Sequence, residues 1–240
     1  PEKQSPVRVE LHLTTEQQAA TRAMDENCIR DVNLYLYGDT EYHFYFPSVS
    51  SPLVFNVLPG NYRSYAIANA GQDLGDKNAF KIQFYETAVD VMESSDAIPM
   101  TDRGTLAVDG AGRCTPSSLR VTRSAAKIAY TIEVADAVAP SLRLRSVQFC
   151  NLPLTIRPFD SGSISSTVEA NYYDGEAMPV GNERRTAGTA YLFENLQGSV
   201  DTITDQKDKC PENAPACATY LRILAERSAD KALVEYIVYP

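Results

Sequence analysis

Pro6-Val-Arg-Val-Glu-Leu-His-Leu13 alternates strictly: Val7, Val9, Leu11 and Leu13 point one way, and Arg8, Glu10 and His12 point the other. A period of two is the mark of a strand with one buried face. The next stretch, 14–27, has almost no large apolar residue, and strand character returns from Ile29 with Val32, Leu34 and Leu36. Arg22 stands in that polar linker between Thr21 and Ala23. The small neighbours leave the Arg22–Ala23 bond open to a trypsin-like protease. A first strand (6–13) held only by a cleavable linker (14–27) can be removed, and the groove it leaves can take a strand from another chain. The alternative is an ordinary N-terminal strand that stays in its sheet, with Arg22 a plain linker residue.

The same strand-and-turn rhythm runs through the rest of the chain. Glu41–Phe46 ends at a proline and a serine-rich turn, and 52–58 leads into Pro59-Gly60-Asn61. That turn has type II chemistry and predicts a hairpin or a sheet-crossing corner into 62–69. Phe80, Phe84, Ala88 and Val91 recur at spacings of three and four, which predicts one or two short helices. Residues 104–118 are rich in small and turn-forming residues, with one weak strand at 105–108. A domain boundary is placed at the end of this stretch, giving domains 1–119 and 120–240. Ile128, Tyr130, Ile132 and Val134 open the second half as a strand, and further strands are predicted at 142–151, 189–195, 219–225 and 234–239. Neither half alternates strand with helix, so the fold class is all-β with minor helix, built as two antiparallel β-sandwiches.

Composition narrows the function. The 240 residues carry a net charge of −9 with scattered Lys and Arg, which argues against nucleic acid as a partner. No apolar run is long enough for a membrane-spanning helix. With two histidines, and no HExxH, GxSxG or P-loop pattern, nothing selects an active site, a cofactor or a metal, and the chain reads as a non-enzyme. Asp160-Ser-Gly162 spells the aspartic-protease tripeptide, but it occurs once and is followed by a polar loop, where two paired aspartates are needed. Tyrosine-rich segments (Tyr35/Tyr37, Tyr42/Tyr45, Tyr172/Tyr173) leave a glycan-stacking module as a reading from another class.

Five cysteines, Cys28, Cys114, Cys150, Cys210 and Cys217, cannot all pair within one chain. Cys210 and Cys217 close a short proline-containing loop and form the one candidate disulfide. Such a bridge stabilises by about 2.5 kcal/mol in the chain-entropy account.

Several phrases, in order, resemble the fimbrillin family, the lipoprotein-derived subunits of type V pili of Bacteroidales. They are Asp25-Glu-Asn-Cys-Ile29 with Val32-Asn-Leu-Tyr-Leu-Tyr37, Leu58-Pro-Gly-Asn-Tyr62 with Ala66-Ile-Ala-Asn69, Ile98-Pro-Met100, and Arg123-Ser-Ala-Ala-Lys-Ile128. Asn151-Leu-Pro153, Tyr191-Leu-Phe-Glu-Asn195 with Gly198, and Ala218-Thr-Tyr-Leu-Arg-Ile223 complete the set, spread over about 200 residues. The resemblance implies two tandem transthyretin-like β-sandwich domains and export as a lipoprotein to the outer membrane and cell surface, with the acylated cysteine upstream of Pro1. It implies cleavage after Arg22 by an arginine-specific protease, and β-strand complementation by other pilus subunits, as a homo- or hetero-polymer. Host or bacterial surface ligands are implied as further partners. A non-polymerising anchor or adhesin of the same family is the alternative. Export favours the Cys210–Cys217 bridge. Family chains carry more strand sequence beyond the counterpart of Tyr239, so the chain as given is expected to be cut short at its C-terminus.

Overall fold

The alternating N-terminal stretch is a strand, β1 (Val7–Thr15), in the computed structural model of this chain. The structure describes residues 4–15, 28–88, 98–160, 165–181, 184–198, 200–201 and 203–239. β2 (Val32–Tyr37), β3 (Glu41–Phe46), β4 (Leu53–Val57) and β5 (Gly60–Ala68) follow. Next come a single helical turn, α1 (Ala79–Gln83), and β6 (Thr87–Ala88), then β7 (Met100–Val108), β8 (Cys114–Thr115) and β9 (Ser118–Arg123). The chain is nearly all β and divides into two compact units.

The first unit comprises Pro1–Tyr85, Ser95–Ala125 and Arg157–Asp160. It runs through Ala125, so β9 is part of it, whereas the boundary expected near Leu119 falls inside β9. Its strands are ordered β3-β2-β5-β7-β9-β1-β4, with β8 paired to β7. β4 and β5, expected as a hairpin or a corner, do not pair: β4 bonds to β1, while β5 lies between β2 and β7. The intervening Leu58–Tyr62 is therefore a corner between layers. Gly60 does not take the positive φ that a type II turn needs and instead begins β5. Tyr62 holds the corner by donating its hydroxyl to Leu58 O (2.5 Å), and Leu58 N donates to the Tyr42 hydroxyl (3.1 Å).

Between the layers lies a core of Val9 and Leu11 from β1, Leu53, Phe55 and Val57 from β4, and Val32, Leu34 and Leu36 from β2, closed by Leu106 and Leu119. The opposite face of β2 and β5 is covered too. Tyr35, Tyr37, Tyr65 and Ile67 are buried there with Ile82 and Phe159. The helical spacing of Phe80 and Phe84 yields only one turn, capped by Asn78, whose side chain accepts from Lys81 N at 2.8 Å. Ile82 alone of that turn is buried; Phe80 and Phe84 are exposed, so their spacing did not mark a core face. Val91 lies outside the described residues.

The second unit, Glu86–Ser94, Ala126–Ile156 and Ser161–Pro240, repeats the two-layer plan. Its strands are β10 (Ala125–Glu133), β11 (Leu142–Cys150), β12 (Leu152–Pro153), β13 (Thr155–Ile156) and β14 (Tyr172–Tyr173). β15 (Met178–Pro179), β16 (Arg185–Phe193), β17 (Tyr220–Arg227) and β18 (Leu233–Val238) complete it. A sheet ordered β15-β11-β17-β18 packs on the β10–β16 pair through Ile128, Tyr130, Val147, Phe149, Leu192 and Ile223. At one end, Asn195 donates to Cys217 O (2.9 Å) and to the Thr219 hydroxyl (2.9 Å), while Thr219 donates to Asn151 O (2.9 Å). These part-buried bonds give Asn151 and Asn195 their place at strand ends.

Candidate functional site: the groove that holds the first strand

β1 changes partner along its length. Its first half pairs antiparallel with β4, with Val7 opposite Val57, Val9 opposite Phe55 and Leu11 opposite Leu53. Its second half pairs parallel with β9, with Leu13 opposite Leu119 and Thr15 opposite Val121. This parallel pair departs from the all-antiparallel expectation. β9 already pairs antiparallel with β7 at its far end, so its first residues are left to run alongside β1. His12 N also donates to Ser117 O (3.1 Å), and the Thr14 hydroxyl to Leu119 O (3.2 Å). Without β1, the edges of β4 and β9 would both stand open around a slot lined by Leu53, Phe55, Val57, Leu119 and Val121.

The four apolar residues of β1 differ in depth. Val9 and Leu11 are fully buried, while Val7 and Leu13 are half-buried against the same core. Arg8, Glu10 and His12 face solvent. The Arg8–Glu10 ion pair (2.9 Å) is exposed on both sides and adds little. Burial of Val9 and Leu11 alone contributes roughly 1.5–3 kcal/mol each.

A residue outside the sequence expectations also bears on β1. The β7–β8 hairpin, Asp109–Arg113, reads in sequence as a plain glycine-rich turn. Its Gly112 has φ +79° and lies so close to β1 that a Cβ there would overlap Arg8 O. Asp109 fixes the hairpin by accepting from Ala111 N (2.9 Å), Arg113 N (2.9 Å) and the Arg113 Nε (2.7 Å). Those donors, Arg113's first among them, hold the Asp109 carboxyl below the usual carboxylate range. The second glycine of Asp-Gly-Ala-Gly was the available signal, because only a residue without Cβ allows this approach.

Arg22 and Ala23, the expected processing site, lie outside the described residues. All five cysteines are free thiols, so the candidate Cys210–Cys217 bridge is not formed in the structure. Cys217 is buried with its Sγ against Thr167 O (3.6 Å), and Cys210 is half-buried. Cys114 is half-buried in β8 beside the core that β1 completes, and burial, then Asp109, push its thiol pKa up. The glycan-stacking reading loses Tyr35 and Tyr37, which are fully covered.

Beside the buried tyrosines sits a pH-sensitive cluster. The His43 side chain is 9% exposed and stacks on Tyr35 at 4.4 Å. Its Nε2 donates to Asn33 Oδ1 (3.1 Å), an atom that also accepts from Leu74 N (3.0 Å). Asp73 and Asp76 lie 3.7 and 3.6 Å from the ring nitrogens. Burial lowers the His43 pKa, with Asp73 and Asp76 opposing it and Lys77 assisting. The unfolded chain therefore takes up this proton first as pH falls below about 6.5, and folding stability declines through that window. Urea unfolding at pH 7.5 and pH 5 is expected to show a larger loss for the wild type than for His43→Gln. Equal losses would remove His43 from the pH response.

Comparison with known proteins places this arrangement among solved folds. A fimbrilin from Porphyromonas gingivalis superposes with a TM-score of 0.60 at 13% identity, covering 97% of this chain and 80% of that one. A structure from Parabacteroides distasonis, described only as a candidate cell adhesion protein, gives 0.51 at 10% identity, covering 98% and 83%. Residues 190–240 match the family model called Domain of unknown function (DUF4906). No curated protein matches the sequence. The chain has the fold of a fimbrilin.

Proposed function

We propose that this chain is a structural subunit of a cell-surface fimbria of the type V kind, exported as a lipoprotein and assembled by strand exchange. The observation that supports this most directly is the seat of β1. It has strict apolar alternation, pairs with β4 along its first half and with β9 along its second, and is followed by a polar segment carrying Arg22. Cleavage of Arg22–Ala23 by an arginine-specific protease frees β1, and a strand of a neighbouring subunit takes its place. The incoming strand runs as β1 does, antiparallel to β4 and parallel to β9, with apolar residues at alternate positions. The fimbrilin fold supports the same assignment, and fimbrial subunits and surface ligands are the partners it carries.

The test is brief digestion with a trypsin-like protease followed by mass spectrometry and circular dichroism. The first cut is expected at Arg22–Ala23, with the remainder still folded. A first cut inside 45–58 would sink the proposal. The second reading, an anchor or adhesin that keeps its first strand, draws on the bonding of β1 to both β4 and β9. Resistance of Arg22–Ala23 to cleavage in the folded chain would favour it.

A further inference from the structure

The strand seated in the groove shows what the groove accepts. Val9 and Leu11 have no exposed surface. Val9 lies opposite Phe55 and Leu11 opposite Leu53, themselves 5% and 2% exposed. Val32, Leu34, Leu36 and Leu106 close the same core. Phe55 is hemmed in by its own neighbours, with the Phe44 ring centroid at 4.9 Å and that of Phe46 at 6.5 Å. A packed interior of this kind resists added volume, because a larger side chain forces its neighbours off their rotamers or shifts the strand.

The two ends of the strand differ. Val7 and Leu13 pack on the same core but are only half-buried, so a longer side chain there can extend toward solvent. The outward positions discriminate little: Arg8 and Glu10 are exposed, and so are Asn56 and Val54 opposite them. The main chain is held without regard to side chain. Gly112 lies against Arg8 O, and His12 N donates to Ser117 O (3.1 Å) where β1 passes from β4 to β9. Any residue supplies that carbonyl, and any but proline supplies that N–H.

We propose that the groove selects its incoming strand by size at the two central inward positions. The strand it takes from a neighbouring subunit carries aliphatic residues no larger than valine and leucine in the places of Val9 and Leu11. Aromatic residues are admitted only in the places of Val7 and Leu13, and the outward residues are free to vary. This selection rests on strand exchange at the β1 seat, and it adds which strands can compete for that seat.

The test uses the full chain cleaved at Arg22–Ala23, a fluorescent 6–15 peptide, and unlabelled variants of that peptide as competitors. The Val9→Phe and Leu11→Phe peptides are expected to compete about tenfold or more weakly than the parent, and the Val7→Phe and Leu13→Phe peptides within about threefold of it. The same substitutions in the uncleaved chain should rank alike in urea midpoint, with the central pair lowered and the end pair near the wild type. Central and end variants that compete equally, or equal midpoints for Val9→Phe and Val7→Phe, would overturn the size selection and leave strand exchange standing. A parent peptide that fails to bind would remove strand exchange itself, and this selection with it.

Discussion

Leu11→Asp is expected to drive β1 from its groove and strongly destabilise the first unit, the largest effect of any single change in β1. Leu11 has no exposed surface and lies opposite Leu53 in the core. Removing its side chain, as in Leu11→Ala, takes away about 2–5 kcal/mol in comparable sites. A carboxylate there adds the penalty of burying a charge among Val9, Leu34, Leu53 and Leu106. That sum rivals the whole stability of an ordinary domain, about 5–15 kcal/mol. Glu10→Ala, one residue away on the solvent face, should leave stability within about 0.5 kcal/mol. Circular dichroism with urea titration reads both, and tyrosine emission serves as a second probe because the chain has 14 tyrosines and no tryptophan. The same pair tests the groove itself. A synthetic 6–15 peptide should bind protease-treated protein and lose binding when its Leu11 is Asp, while the Glu10→Ala peptide binds as the parent does.

Gly112→Val is expected to loosen β1 without touching it in sequence. A β-branched residue at φ +79° is strained by about 1–2 kcal/mol or more from backbone geometry alone. Its Cβ also overlaps a main-chain oxygen of β1, Arg8 O, which cannot swing aside as a side chain could. Either the Asp109–Arg113 hairpin lifts or the first half of β1 shifts away from β4, so a loss of about 2 kcal/mol or more is expected in urea unfolding. Gly110→Ala is the control, since a Cβ there meets nothing within 4 Å. Cys114 supplies a local readout: it is half-buried beside this hairpin, with its thiol pKa raised, so it should react slowly with a thiol reagent in the wild type and faster in Gly112→Val. Unchanged labelling alongside unchanged stability would show that the hairpin does not restrain β1.

The strands that the sequence made legible are those with a clean period of two and a turn at each end. β1, β3, β10, β11 and β18 fall within a residue or two of where alternation places them. β9 stayed hidden because its alternation is short, with only Leu119 and Val121 buried, and it follows directly on a loop-like stretch. The 80–91 spacing misled in the other direction: Phe80 and Phe84 keep helical periodicity on a single turn whose one buried residue is Ile82.

By itself, then, the sequence determined an almost all-β chain and a first strand with Val7, Val9, Leu11 and Leu13 on one face. Those follow from local chemistry, since side-chain period and turn residues act over a few positions. Only the tertiary structure decided that β1 pairs with β4 along its first half and with β9 along its second. It alone showed that Gly112 closes over Arg8. Each of these joins residues that are tens of positions apart or more. Strand partners are chosen by burial summed over the whole sandwich, and no local pattern encodes that sum.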